Sequence, residues 1–121
     1  MAQDGARGIA FVQAPEQALG VCMGADPAKT IQCAVQKCVE GGAAEADCAP
    51  MSWCLPMGWS ADLFLQHQEG IHWHEFLCGW ASKEAVEAAA RVKCDATLRP
   101  YLLHCTITGY WDPDGKEIAG N

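Results

Sequence analysis

Three histidines lie close together between His67 and His74, and imidazole is a good ligand for zinc or copper in an exported protein. If Glu69-Gly70 forms a two-residue turn, His67 lies opposite His72, with His74 one diagonal step away on the same face. Cross-strand neighbours at ~5 Å and diagonal neighbours at ~7 Å can share one cation. These three residues are therefore a candidate metal site. This site depends on how the two strands of the hairpin pair, because a slip of one residue in their register moves a side chain to the opposite face.

The alternative to a metal site is an ordinary structural use of these histidines. They could be polar residues on a solvated sheet face or imidazoles at a protein interface. Sulfur at Met23, Met51 and Met57 would suit copper(I), but methionines beside prolines and tryptophans are typical of core positions that fill gaps. Copper and zinc are therefore candidate cofactors, and none is required.

Eight cysteines in 121 residues form a repeating pattern. Cys22, Cys38 and Cys48 recur as Cys78, Cys94 and Cys105, at offsets of 56, 56 and 57 residues. A spacing kept over three positions indicates an internal duplication. So many thiols in a small chain are typical of disulfides formed in an oxidising compartment. Because the CxxC spacing of structural zinc sites is missing, disulfides are favoured over metal ligands.

The repeat predicts two disulfides and leaves the other two open. The predicted pairs are Cys38–Cys48 and Cys94–Cys105, each of which would join a helix end to the strand that follows it. The open alternatives are Cys22–Cys78, which are repeat equivalents, and Cys33–Cys54, which lack counterparts. Each predicted bridge would contribute about 2–3 kcal/mol to stability.

The same order of elements is predicted in each half of the chain. Short apolar runs predict strands, Asp26-Pro27 predicts the start of a helix that Gly41-Gly42 ends, and Ser82 caps an alanine-rich helix. Pro50 indicates that the third extended segment lies at a sheet edge or is bent. The predicted strands are 8–12, 18–23, 48–54, 62–67, 71–78 and 101–110, and the predicted helices are 27–40 and 83–95.

These elements predict a single α+β domain of two tandem β-β-α-β repeats, at about 8–59 and 60–111. Each unit is too small to be stable alone, so we expect one antiparallel sheet or a small sandwich carrying both helices. Asp112-Pro113-Asp114-Gly115 reads as a turn, and we expect the tail after it to be short and loose.

The order of residues in the first half resembles a known family. The motif Gly8-Ile9-Ala10-Phe11, then Gly20, a helix ending in Cys38, and Cys48 and Cys54, is similar to the small secreted bacterial domain of unknown function 4189 family. Residues 63–105 follow the duplicated form of that family. The chain departs from it at Leu55-Pro56-Met57 and in its additional Cys22, Cys33 and Cys78. The resemblance implies this fold and an exported location, and it implies no catalytic residue.

Charge and composition exclude some partners. With 15 acidic and 8 basic residues the net charge is −7, which repels nucleic-acid backbones and anionic lipids. No apolar run approaches the ~20 residues that span a bilayer, so we expect no membrane insertion. The opening Met1-Ala2-Gln3-Asp4 is typical of a start codon placed before a mature end, so we expect that a signal peptide has been removed.

Catalysis has little support in this sequence. A thiol nucleophile beside His74 or His104 would require a free cysteine, whereas oxidised sulfur cannot attack a substrate. GxSxG, HExxH and phosphate-loop motifs are missing. We therefore expect no enzyme.

Aromatic residues suggest a binding role instead. Tryptophans near predicted strand ends can anchor a protein partner, although they can equally fill the core; the candidates are Trp59, Trp73, Trp80 and Trp111. The sequence predicts a periplasmic or extracellular, non-catalytic binding module with a protein partner or an inhibitor-like role. A periplasmic copper or zinc protein is the alternative.

Overall fold

The computed structural model describes residues 7–120, which form two antiparallel sheets. The fold class is thus α+β, as predicted, and of the two predicted forms the sandwich is the one observed. The strands are β1 (Gly8–Ala14), β2 (Ala18–Gly24), β3 (Ala49–Cys54), β4 (Trp59–His67), β5 (His72–Trp80), β6 (Leu102–Trp111) and β7 (Glu117–Ala119), and the helices are α1 (Pro27–Glu40) and α2 (Lys83–Lys93).

The two halves share their strand order. The first sheet has the order β2-β1-β3 and the second has β5-β4-β6-β7, so the first strand of each half lies between the other two. In each half the helix connects the second strand to the third and packs on the outer face of its own sheet. The molecule is therefore layered as helix, sheet, sheet, helix.

The alternation of side chains along β1 explains this layering. All seven residues of β1 are buried, which is the pattern of a strand covered on both faces. Ala10 and Val12 pack towards α1, while Ile9 and Phe11 pack towards the second sheet. The helix lies very close to the sheet at Gly20, where a Cβ would meet the carbonyl oxygen of Ala34 at 1.8 Å.

Aromatic rings form the contact between the two sheets. The rings of Phe11 and Phe76 are stacked with centroids 4.5 Å apart, and Trp111 meets Phe11 edge-on at 5.4 Å. Met57 and Ile9 complete this layer and are fully buried. Such pairs add to the free energy gained by removing apolar surface from water.

The capping residues in the sequence predicted the start of both helices correctly. The Asp26 side chain accepts a hydrogen bond from the Lys29 N–H, and the Ser82 side chain accepts one from the Ala85 N–H, so both predicted caps are present. Pro50 lies on β3, at the edge of its sheet, as predicted.

The predicted loose tail after Gly115 is wrong. Residues Glu117–Ala119 form β7, which pairs with β6 from Gly109 to Trp111. The turn at 112–115 is tight because the Asp112 carboxylate accepts hydrogen bonds from the N–H groups of Asp114 and Lys116. This turn sends the chain back along the sheet, where it extends the ladder.

Four disulfides staple the fold, and all eight cysteines take part. The predicted pairs Cys38–Cys48 and Cys94–Cys105 are confirmed. The alternatives Cys22–Cys78 and Cys33–Cys54 are wrong, since the bonds formed are Cys22–Cys33 and Cys54–Cys78. The reason is the alternation along the strands: Cys22 points towards α1, whereas Cys78 points into the layer between the sheets.

Candidate functional site

The three predicted metal ligands do not converge. In the β4–β5 hairpin His72 pairs with Gln66, not with His67, so the register differs by one residue from the predicted one. The loop is longer than a two-residue turn, with the His67 N–H donating to the Ile71 carbonyl. The ring of His67 consequently stacks on Tyr101, with centroids 5.4 Å apart, and its Nδ1 accepts a hydrogen bond from the Glu69 N–H.

His72 and His74 share a face of β5, and each has a carboxylate partner. His74 Nδ1 lies 2.6 Å from Oδ1 of Asp62 on the neighbouring strand. His72 Nε2 lies 3.5 Å from Oε2 of Glu16, which also accepts a hydrogen bond from the His72 N–H. Phe64 contacts both imidazoles, with ring centroids 5.4 and 5.7 Å away. Two acid–imidazole pairs therefore flank one aromatic ring.

Gln13 fixes the two sheets at this position. Its side-chain oxygen accepts a hydrogen bond from the His74 N–H at 2.6 Å, and its nitrogen donates to the His74 carbonyl at 2.8 Å. The side chain is almost completely buried, so both bonds are shielded from water. The backbone of β5 is thus held against β1 from the other sheet.

An open cleft runs between the sheets beside these residues, and we call it the interlayer cleft. One part, of about 240 Å³, lies under the β1–β2 turn, and a second, of about 450 Å³, lies beside β2; Leu19 lines both. The first part is lined by Gln13, Ala14, Glu16, Gln17, Ala18, Leu19, Phe64, His72 and His74. The second is lined by Leu19, Val21, Met23, Lys37, Asp62, Trp111, Gly115 and Glu117.

The Asp62–His74 pair has the acid–imidazole geometry of a catalytic dyad. Ser60 precedes Asp62 by two residues on the same strand, and its hydroxyl is buried without a hydrogen-bond partner. Within residues 7–120 the His74 ring forms a hydrogen bond with Asp62 alone. The Asp62 carboxylate therefore fixes the orientation of the His74 imidazole in the cleft wall.

The predicted tryptophan anchors lie in different environments. Trp111 is only 7% exposed because it fills the layer between the sheets, and it lines the second part of the interlayer cleft. Trp59 and Trp73 pack against the core under α2, and the Trp73 Nε1 donates to Glu75. Trp80 is 37% exposed at the end of β5, beside the Cys54–Cys78 bridge.

A polar network on the opposite face of β5 was not predicted from the sequence. Arg99 holds Glu75 through two hydrogen bonds of 3.0 and 2.8 Å, and it also donates to the Lys93 carbonyl and the Tyr101 hydroxyl. The Arg99 guanidinium, with help from Trp73, holds the pKa of Glu75 at about 2, against a usual value of 4.5. The sequence does not predict the contact between Glu75 and Arg99, because 24 residues separate them and no local pattern links them.

Comparisons with known proteins give no further identification. No family model, curated protein or solved structure matches this chain. The resemblance to the domain of unknown function 4189 family therefore stays a prediction. Within the described range, neither helix has the length and hydrophobicity needed to cross a membrane.

Proposed function

We propose that this protein is an exported, disulfide-rich, non-catalytic binding module that holds a protein partner in the interlayer cleft, outside the cytoplasm. The observation that carries the proposal is an open cleft whose walls are already fixed. Gln13 ties the sheets together, and Glu16 and Asp62 hold His72 and His74 in place. A preorganised surface loses little conformational entropy when a partner binds.

The chemistry of the cleft indicates a basic partner. The carboxylates of Glu16, Asp62 and Glu117 line it, and in the described part of the chain Lys37 supplies the one ammonium group. The whole chain carries a net charge of −7, which attracts a basic protein over long distances and speeds association. A periplasmic or extracellular location agrees with four disulfides, which form in oxidising compartments.

Charge inversion at the mouth of the cleft tests this function. Glu16→Lys breaks the contact with His72 and reverses the local charge, whereas Glu45→Lys changes the net charge equally at an exposed position in the turn after α1. In affinity capture from the exported fraction of the source cells, we expect Glu16→Lys to retain at least tenfold less of the partner. Glu45→Lys should retain nearly as much as the wild type, because a remote charge acts only through screened long-range attraction.

Two results would contradict the proposed function. One is that no protein is enriched over an unrelated disulfide-rich bait of equal charge. The other is that the enriched proteins are retained equally by both variants.

A second candidate function is the binding of copper or zinc through His72 and His74. The observation that favours it is the Asp62 carboxylate at Nδ1 of His74, since an acid in that position orients an imidazole so that Nε2 can bind a metal. Among residues 7–120 no three His, Cys, Asp or Glu side chains are grouped to hold a metal ion, so water would complete this site.

Equilibrium dialysis against zinc and against copper, followed by elemental analysis, tests the metal site. We expect uptake to be lost in the double variant His72→Ala with His74→Ala. The matched control is His67→Ala, which should bind as the wild type does because the His67 ring lies against Tyr101. No uptake by the wild type, or equal uptake by the double variant, would end the metal proposal.

A further inference from the structure

β2 differs from the other outer strands of the two sheets. Outer strands usually carry a device that prevents further pairing, such as short length, proline or a bulge. β3 has Pro50 and a register shift, β7 has three residues, and β5 has a register shift near Trp80. β2 pairs with β1 over seven residues without a shift and contains no proline. Within residues 7–120 no strand pairs with its outer side.

The difference in size between the two sheets leaves room for one more strand in the smaller sheet. The smaller sheet has three strands and the larger has four, so part of the larger sheet is uncovered. His104, Thr106 and Thr108 on β6 are exposed. Thr106 pairs directly with Phe64, whose ring contacts the cleft histidines, so this exposed face of β6 is the one that lies towards the smaller sheet.

One face of β2 supplies regularly spaced apolar contacts to this space. Leu19, Val21 and Met23 all line the second part of the interlayer cleft, at the two-residue period of a strand. Trp111 also lines this part of the cleft. An extended segment with apolar side chains at every second position would match these contacts.

The charge of the cleft favours a different, basic partner over a second copy of this chain. Asp62 and Glu117 lie in the cleft beside β2, with Glu16 at its mouth. Lys37 is the only lysine or arginine that lines the cleft within residues 7–120, and His74 and His72 contact Asp62 and Glu16. A second copy would bring another net charge of −7 to an acidic groove. A basic segment would be attracted instead.

We propose that β2 accepts an extended, basic segment of a partner protein as the fourth strand of the smaller sheet. Main-chain hydrogen bonds to the free side of β2 supply affinity. Every second residue of the segment faces the cleft. Apolar residues at these positions lie against Leu19, Val21 and Met23, and a lysine or arginine at another of them reaches Asp62 or Glu117. This inference rests on the proposed protein-binding function and names the partner segment that the cleft would select.

An NMR titration of the ¹⁵N-labelled protein tests the inference with a capped seven-residue peptide that has three valines and one lysine on one face of the strand and three threonines on the other. We expect shifts and slowed hydrogen exchange of the amides of β2. Two further peptides are matched controls, one N-methylated at alternate residues along the edge that would pair and one with glutamate in place of lysine. Each should bind at least tenfold more weakly, because the first loses main-chain donors and the second is repelled.

A pair of protein variants provides an independent check. Val21→Lys places a cation inside the groove, and Met51→Lys places one on β3, the other outer strand of the same sheet. We expect Val21→Lys to weaken binding of the valine–lysine peptide at least tenfold and Met51→Lys to leave it within about twofold, because the Met51 charge is more distant and screened.

The strand-addition proposal is overturned if the peptide does not bind, if the N-methylated peptide binds equally, or if the shifts fall on β3 or β5. It is also overturned if β2 becomes protected by dimerisation of the chain at rising concentration. A captured partner that depends on Glu16 but leaves the β2 amides unprotected would refute strand addition alone. Failure to capture any partner, despite peptide binding at β2, would instead refute the proposed function.

Discussion

Replacing both Cys54 and Cys78 by serine is expected to lower the free energy of unfolding by about 3–4 kcal/mol, the largest loss from any one disulfide. Of the four bridges this one alone joins the two sheets, and it closes the longest loop, with a sequence separation of 24 against 10 or 11 for the others. Removing a disulfide increases the conformational entropy of the unfolded chain, and the increase is larger when the disulfide closes a longer loop. Urea denaturation measures the loss.

The matched control is the double variant Cys22→Ser with Cys33→Ser, which removes a bridge between β2 and α1 within one half. We expect a loss of about 3 kcal/mol there. Hydrogen exchange separates the two variants more clearly than the energies do. Removing Cys54–Cys78 should increase exchange at the contact between the sheets, whereas the control should increase it only around β2 and α1. A loss below about 1 kcal/mol at Cys54–Cys78 would contradict this account of the scaffold.

Glu75→Gln is expected to lower stability by about 2 kcal/mol at neutral pH, after allowance for solvent screening. Glu75 and Arg99 are each about one-fifth exposed, at 20% and 21%, so removal of the carboxylate leaves a poorly hydrated guanidinium without its bidentate partner. The control is Glu87→Gln, which breaks the more exposed pair with Arg91 on α2 and should cost less than about 0.5 kcal/mol.

The pH dependence gives the Glu75 prediction a second test. The pKa of Glu75 in the folded protein, about 2, lies below its usual value of 4.5. The carboxylate therefore stabilises the fold above pH 4.5, and this contribution is lost as the pH falls towards 2. The difference in unfolding free energy between wild type and Glu75→Gln should be full at neutral pH and close to zero at pH 2. A difference that does not change with pH would refute the role of this ion pair.

The sequence predicted features that depend on neighbouring residues. Asp26 and Ser82 marked both helix starts because capping involves residues three apart. The bridges Cys38–Cys48 and Cys94–Cys105 followed from a helix end and the next strand, which are close in space whenever they are close in sequence. Pro50 marked an edge strand because proline lacks the N–H that an inner strand needs.

The candidate site was only partly predictable, because it depends on register and on distant residues. His72 and His74 were found as a pair on one face, but the loop from His67 to Ile71 set a register one residue away from that of a two-residue turn. Gln13 reaches the backbone of His74 across 61 residues, and Glu16 reaches His72 across 56. Contacts of that kind have no local pattern in the sequence.

The disulfide connectivity of the protein purified from its natural source tests the central claim most directly, since the rigid scaffold and the fixed cleft both depend on it. Peptide mapping without reduction requires a second protease beside trypsin, because no lysine or arginine lies between Cys38 and Cys78. The account predicts no free thiols and the bonds Cys22–Cys33, Cys38–Cys48, Cys54–Cys78 and Cys94–Cys105. Free thiols at most of the cysteines, or a bond between Cys22 and Cys78, would contradict it.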